Sequence, residues 1–274
     1  MSAIAVLSPG EMGTQVAKRL LRSGSRVVTS LDGRSAATVQ RAEAAGIECL
    51  ASLDEVLRQA DLVISLVTPV GATPLARDVA AAMQRTGRRI TYVEGNSISP
   101  STAQAIGAII CQAGGEFVDG GIVGGAAELE TATFYLSGED AEAVAPRIEP
   151  AVRTSIVGPR VGQASGLKIL NAGLSKGLTA LGVELLLCAE RLDMLPEIMA
   201  RYREGRSGVA DFLVRILPDL PAKARRRSQE MQELTSLMEE LGLTAHTSRA
   251  AEQVLVMVAE RYAAGSEDWP LMSF

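Results

Sequence analysis

Histidine occurs once in this 274-residue chain, at His246, so a zinc site built on several histidines is excluded by arithmetic. Any Ser-His-Asp triad would rest on that one residue, which stands near a helix start and reads as an ordinary, partly exposed histidine. Cysteine is nearly as scarce: Cys49, Cys111 and Cys188 are odd in number and show no paired spacing. A disulfide framework or a cysteine-based metal site is therefore not expected, and a reducing, cytoplasmic setting is. Aromatic residues are only 3% of the chain, which leaves the core to Ala, Leu, Val and Ile. A net charge of -5 speaks against a general nucleic-acid binder. The basic run Lys223-Ala224-Arg225-Arg226-Arg227 lies in a helical pattern and reads as a solvated face, with an anion site as the other reading. The apolar N-terminal stretch is too short for a signal peptide and has no basic leader. The longest apolar run is interrupted by Lys176 and Glu184, so no membrane span is expected.

What remains is an ordinary globular composition, 47% hydrophobic and 22% charged, long enough for one large or two medium domains. In the first half, short apolar runs at 3–7, 26–31, 61–67 and 90–94 alternate with helical patterns. That is the signature of a parallel sheet covered on both faces. Strands are also expected within 115–138, then a helix over about 140–150. Beyond Gly162 the strand signal stops, and helices are expected at 165–192, 195–204, 208–217, 222–241 and 245–264. The expected architecture is an α/β Rossmann-type nucleotide-binding domain (1–161) followed by an all-α C-terminal domain (162–274).

The first strand-to-helix turn reads Ser8-Pro9-Gly10-Glu11-Met12-Gly13. It resembles Gly-x-Gly-x-x-Gly with Ser8 in place of the first glycine. Gly10 would let a pyrophosphate approach the backbone, Gly13 would let helix and strand pack closely, and the helix start supplies amide donors. An ordinary glycine turn explains the same letters, but the position after the first strand of a βαβ unit favours the nucleotide. The second strand ends Asp32-Gly33-Arg34-Ser35. Asp32 suits the ribose hydroxyls of NAD, whereas Arg34 and Ser35 form a clamp for the 2′-phosphate of NADP. NADP is the preferred cofactor on this reading, and NAD remains possible.

One helical segment, 165–189, carries only Lys168, Lys176 and Glu184 as charged residues. At about 100° per residue, Lys168, Asn171, Ser175 and Thr179 share one face. A lysine on so apolar a helix either snorkels to solvent or is held for chemistry. The adjacent turn offers it no carboxylate. Gly173 and Gly177 read as sites of close helix packing.

Taken in order, Gly10-Glu11-Met12-Gly13, the loop after Asp119 and Lys168-x-x-Asn171 make the chain resemble the β-hydroxyacid dehydrogenase and 6-phosphogluconate dehydrogenase-like superfamily. More narrowly, it resembles the short branch with a compact helical C-terminal domain. That resemblance implies further roles. Val67-Thr68-Pro69 would lie along the cofactor, and Glu94-Gly95-Asn96-Ser97 stands where the family has an Asp-x-Ser-Thr-like turn, placing Asn96 near nicotinamide and substrate. Gly120, Gly121, Gly124 and Gly125 would form the substrate loop, although Gly121 replaces the family's proline and Val123 its serine. Lys168 would be the acid/base and Asn171 would orient substrate, with no metal required. The activity implied is an NADP-preferring oxidoreductase acting on the CH–OH of a small polar, hydroxyacid-like hydroxy or keto substrate, as a homodimer, with no nucleic-acid or membrane partner. An imine reductase on the same scaffold and a non-catalytic nucleotide-binding regulator are the alternatives. Lys168 counts against the first, and the intact Lys168-x-x-Asn171 against the second.

Overall fold

The computed structural model describes residues 3–33, 35–262 and 268–272. The chain forms two compact units, Met1–Ile169 and Leu170–Phe274. The sequence-based boundary near Val161 falls just ahead of a long helix, and the two units divide inside that helix.

The first unit is built on an eight-stranded sheet. Its strands are β1 (Ala3–Leu7), β2 (Val27–Ser30), β3 (Glu48–Leu50), β4 (Ala60–Ser65), β5 (Thr91–Glu94), β6 (Glu116–Val123), β7 (Thr133–Ser137) and β8 (Arg153–Gly158). They lie in the order β3-β2-β1-β4-β5-β6-β7-β8. The first six follow the dinucleotide-binding order 3-2-1-4-5-6. Adjacent residues of β1 divide between two cores. Ile4 and Val6 join Leu62, Ile64 and Val93 on one face, while Ala3, Ala5 and Leu7 join Val63 and Tyr92 on the other. Burial of both faces explains why these strands are uninterrupted apolar runs. The connecting helices are α1 (Glu11–Arg22), α2 (Ala36–Ala44), α3 (Leu53–Gln59), α4 (Pro69–Thr86), α5 (Pro100–Gln112) and α6 (Ala141–Ile148).

Two features differ from the sequence reading. The sheet is mixed, because β7 runs antiparallel to β6 before β8 returns parallel to β7. The segments β3, α3 and β8 were not anticipated. β3 has three residues and β8 is an edge strand with mostly exposed or half-buried positions, so neither carries an apolar pattern. For α3 a signal existed: Ser52 caps the Glu55 amide at 3.2 Å, and the Glu55 carboxylate reaches back to the Ala51 amide at 3.1 Å. This is a close relative of the capping box.

The long helix α7 (Gln163–Arg191) starts in the first unit and continues into the second. There it is followed by α8 (Leu195–Gly205), α9 (Ser207–Ile216), α10 (Leu220–Glu240) and α11 (His246–Arg261), in agreement with the expected helices. A Cβ on Gly173 would sit 2.4 Å from Leu234 Cδ2, and one on Gly182 would sit 2.3 Å from Leu213 Cδ2. These glycines therefore admit leucines of α10 and α9 against the α7 backbone. Gly177 has no such neighbour. The single tryptophan, Trp269, is buried, stacks edge-on against Tyr262 at 4.7 Å and donates to the Leu217 carbonyl at 2.8 Å. His246 is exposed at the start of α11. Among the described residues α7 is the one helix long and apolar enough to cross a membrane. Its leucine-filled glycine notches and its buried Lys176–Glu230 ion pair pack one side of it into the second unit.

Candidate active site

β1 ends at Leu7 and α1 starts at Glu11, so the connection is only Ser8-Pro9-Gly10. Ser8 takes φ +52°, the left-handed conformation for which glycine is usually chosen. The substitution at the first glycine position has kept the turn at the cost of some strain. The Thr14 hydroxyl closes the turn by donating to the Pro9 carbonyl at 3.1 Å. A Cβ on Gly10 would meet nothing within 4 Å, and no side chain caps the helix start. The first amides of α1 thus face open space, an arrangement suited to a pyrophosphate. The Gly13 α-carbon lies close enough to β1 for an added methyl to touch Val6 at 3.5 Å. Beside the turn lies a hollow of about 440 Å³ lined by Leu7, Ser8, Ser30, Asp32, Asp78 and Arg85. Arg85 is engaged by Asp54 at 2.6 Å. The Ser35 hydroxyl is used as the cap of α2, accepting from the Thr38 amide at 3.3 Å. Arg34 lies outside the described residues.

Buried Asp119, near the middle of β6, fixes the start of α7. Its Oδ2 accepts from the amides of Gly162, Ala164 and Ser165 at 2.9–3.1 Å and from the Ser137 hydroxyl at 2.8 Å. Its Oδ1 accepts from the Ser165 hydroxyl. One carboxylate therefore satisfies the otherwise orphaned amides of the helix and complements its dipole. Less than a turn further on, half-buried Lys168 lies across Gly121. A Cβ on that glycine would come 2.8 Å from Lys168 Cβ and 2.9 Å from its Cδ. The absence of a side chain at Gly121 is thus what makes room for the lysine stem. Lys168 Nζ donates to the Gly95 carbonyl at 3.2 Å, so it does not simply snorkel away.

A carboxyl group does stand near Lys168, brought by the sheet and not by the helix. Glu94 ends β5 in register with Asp119 and is fully buried. Its Oε1 accepts from the Asn96 amide at 2.9 Å, while Oε2 is sealed from solvent without a hydrogen-bond partner. Burial pushes its pKa up to about 8; the Asn96 amide and the Lys168 ammonium oppose the rise, and the Asp119 charge adds to it. At neutral pH the group is mostly a neutral acid beside a cationic lysine. The hydroxyl of Tyr92, two residues earlier on β5, is also sealed from solvent; burial and then Glu94 hold it well above its ordinary value, with Ser65 opposing.

A nucleotide-binding turn and a lysine placed at the carboxyl ends of a 3-2-1-4-5-6 sheet agree with what the comparisons show. Residues 3–154, more than half of the chain, match the NAD binding domain of 6-phosphogluconate dehydrogenase. The chain belongs to this family. Residues 189–258 match a domain of unknown function, DUF1932. The conserved protein MTH1747, of unknown function and described as structurally similar to 3-hydroxyacid dehydrogenases, is 28% identical with a TM-score of 0.71, covering 94% of this chain and 97% of its own. The 3-hydroxyisobutyrate dehydrogenase of Mycobacterium tuberculosis, solved with L-serine, is 18% identical with a TM-score of 0.76, covering 96% of each chain. An imine reductase variant from Myxococcus stipitatus, solved with NAD+, is 21% identical with a TM-score of 0.60, covering 99% of this chain and 98% of its own. The last two share the fold.

In this 6-phosphogluconate dehydrogenase-like chain the remaining candidate residues fall into two groups. Val67, Thr68 and Pro69 lead into α4, whose start has no side-chain cap. Gly124 and Gly125 are exposed at the end of β6, and Asn171 is exposed three residues beyond Lys168 on α7. Asn96 and Gly120, for which direct substrate contacts were expected, are internal in the structure. The Asn96 carboxamide accepts from the Val67 amide at 2.5 Å and donates to the Ser65 hydroxyl at 2.9 Å, with only 2% of the residue exposed. It ties the ends of β4 and β5 together. A Cβ on Gly120 would strike the Phe134 ring at 2.5 Å, so that glycine serves packing. Glu94, Asp119, Ser65 and Ser165 were not among the candidates. The available signal was a carboxylate inside each of two strands otherwise expected to be apolar.

Proposed function

We propose that this protein is an NADP-preferring oxidoreductase acting on a small hydroxy or keto acid, with Lys168 as the general acid/base. The observation that carries this reading is the placement of Lys168: stem over Gly121, ammonium on the Gly95 carbonyl, neutral Glu94 behind it. The nicotinamide supplies or accepts the hydride. Ser8, Pro9, Gly10, Glu11, Met12 and Gly13 would hold the pyrophosphate, and Val67, Thr68 and Pro69 the stretch beyond it. In reduction the Lys168 ammonium would give a proton to the developing alkoxide and become the neutral amine; in oxidation the neutral amine would take the proton from the substrate hydroxyl and become the ammonium, the work of a group held within hydrogen-bonding reach. Asn171 orients the substrate, and Asn96 holds the Val67 and Ser65 segments in place.

NADP preference rests on Arg34, whose charge-assisted pair with a 2′-phosphate is worth roughly 1.5–3 kcal/mol. A specific observation favours NAD instead: Asp32 lines the 440 Å³ hollow, where it can receive ribose hydroxyls. Titration of wild type and Arg34→Ala with NADPH and NADH separates the two. Equal wild-type affinity for both would remove the NADP assignment. Steady-state assays with hydroxy acids, keto acids and cyclic imines test the reaction class. Turnover of imines alone would favour an imine reductase, and no turnover a non-catalytic nucleotide binder. The proposal includes a cytoplasmic homodimer. Leu170, Leu174, Leu181 and Leu185 are 46–78% exposed and share one face of α7, which another copy would cover. A monomer in light scattering at micromolar concentration would contradict it.

A further inference from the structure

The basic run of α10, read from sequence as a solvated face, is divided by the structure. Lys223 and Arg225 are the solvated part: Lys223 meets the exposed Asp219 at 3.5 Å, and Arg225 meets the exposed Glu260 at 3.9 Å. Exposed Arg226 and half-buried Arg227 line a cavity of about 130 Å³ within the helical unit, together with Lys176 of α7 and Glu230, and of these cations Lys176 and Arg227 are the desolvated ones. Among the described residues Glu230 is the only carboxylate of the lining, and both of its oxygens are engaged: one by Lys176 Nζ at 2.5 Å, the other by Arg226 Nη1 at 2.9 Å. Three cations therefore face one carboxylate.

Arg227 is the group this arrangement leaves over. It is half-buried, and among the described residues no acceptor lies within hydrogen-bonding distance of its guanidinium. Burial and the adjacent Arg226 pull it below its ordinary value, with Glu230 and Asp219 opposing more weakly. Lys176 is lowered by burial as well, against the attraction of Glu230 and with repulsion from both arginines. Desolvated cations in excess of their counter-charge are costly unless an anion completes the set. The Ser175 and Thr179 hydroxyls do not compete for that role, since they donate to the Ala172 and Ser175 carbonyls within α7. Phe212 and Ile216 supply an apolar wall.

We propose that this cavity is a binding site for a small oxyanion, a carboxylate or phosphate head group received by the Arg227 guanidinium. The planar fork of donors matches such a group in bidentate fashion. A cavity of about 130 Å³ is well below the size of sites that enclose drug-sized ligands, and it suits inorganic phosphate or a short organic acid whose carbon chain meets Phe212 and Ile216. The site lies wholly in the helical unit and does not depend on the hydride-transfer reading.

Isothermal titration calorimetry on the full chain tests it, with sodium phosphate and sodium propionate as separate probes in chloride buffer of constant ionic strength. Wild type should bind at least one of them. Phosphate alone identifies a phosphate site, propionate alone a carboxylate site, and both a general oxyanion site. Arg227→Gln should weaken binding roughly ten-fold or more, the scale of a lost hydrogen bond to a charged group. Arg227→Lys, which keeps the charge without the fork and protects the test if the glutamine variant fails to fold, should weaken it several-fold. Arg225→Gln should bind as wild type does. No heat with either probe overturns the site. Wild-type affinity in both Arg227 variants places the anion elsewhere, and equal losses in the Arg225 and Arg227 variants reduce the effect to general surface charge.

Discussion

Helix α7 carries two lysines eight residues apart, each in the neighbourhood of a buried glutamate, and the two pairs behave differently. Lys176 is in direct contact with Glu230, with side-chain exposures of 11% and 5%, and Arg226 takes the second oxygen. Lys168 donates to a backbone carbonyl, while Glu94 keeps one oxygen unpartnered and its pKa pushed up to about 8. Contact decides the difference. In the first pair a direct contact and hydrogen bonds work against desolvation, which still lowers Lys176; in the second desolvation outweighs a more distant attraction, and the acid holds its proton. The first arrangement is a structural tie. The second leaves an ammonium held by a backbone carbonyl and not by a carboxylate, as the proposed acid/base role requires.

If that contrast is right, the largest effect comes from Lys168. Lys168→Ala should lower kcat by about 10²–10⁴-fold while leaving NADPH affinity and the unfolding midpoint near wild type. A mutant that keeps near-normal kcat would move the chemistry elsewhere. One that loses cofactor binding would make the lysine structural. The readout must include stability, because removing the ammonium also removes an attraction that holds the pKa of Glu94 down.

The mirror experiment is Lys176→Met. Breaking a buried pair by removing one partner costs about 3–5 kcal/mol, and Arg226, which still engages Glu230, should keep the loss near the lower end. Urea unfolding should show this loss, with the kcat of the remaining folded protein little changed. A stability loss in Lys168→Ala as large as that in Lys176→Met would erase the distinction between the pairs.

Much of this site was legible in the sequence, for reasons the structure makes specific. Lys168 stood out because a charge on an apolar helix is visible at helical spacing, and the first turn because two glycines survive at the right positions. The expected substrate role of Gly121 rested on family position, whereas its effect in the fold is steric. Glu94 and Asp119 were hidden because their meaning comes from strand register, which pairs residues 25 positions apart. Asn96 was found, but which way its carboxamide turns is decided by β4, and that is not a local property. The basic run on α10 was legible only as a mostly solvated face, for the same reason: a helix pattern does not say which of three successive arginines turns inward.

A smaller effect tests the space beneath Lys168. Gly121→Ala places a Cβ 2.8 Å from the lysine stem and 3.3 Å from the Ala164 carbonyl oxygen. The stem can shift but the backbone carbonyl yields less, so a destabilisation of about 1–3 kcal/mol is expected, as for other overpacked sites. Displacement of the ammonium should lower kcat more than it changes NADPH affinity. Unchanged kcat would mean that the lysine reaches the substrate from another direction.

The smallest effect on kcat at neutral pH, and the most diagnostic, belongs to Glu94→Gln. Below pH 7 the folded side chain is neutral in both proteins and the acid and the amide have nearly the same size, so kcat should differ little; the stabilities should coincide only below about pH 4.5, where the unfolded carboxyl is protonated as well. Raising the pH separates them. The folded pKa of about 8 stands above the ordinary value of 4.5, so between these values the folded state holds a proton that the unfolded state has released. Stability of the wild type should therefore fall as pH rises through this window, by up to about 1.4 kcal/mol per unit from this one group. In the glutamine variant that contribution is absent, and urea unfolding at pH 6 and pH 8 should show a flatter dependence. Activity gives a second readout. Above pH 8 an ionised Glu94 in the wild type favours the charged form of Lys168, so the kcat profile of the variant should diverge from wild type on the alkaline side and coincide with it on the acid side. Parallel stability curves would mean that Glu94 is already ionised in the folded protein. The contrast between the two lysine–glutamate pairs would then be one of distance alone.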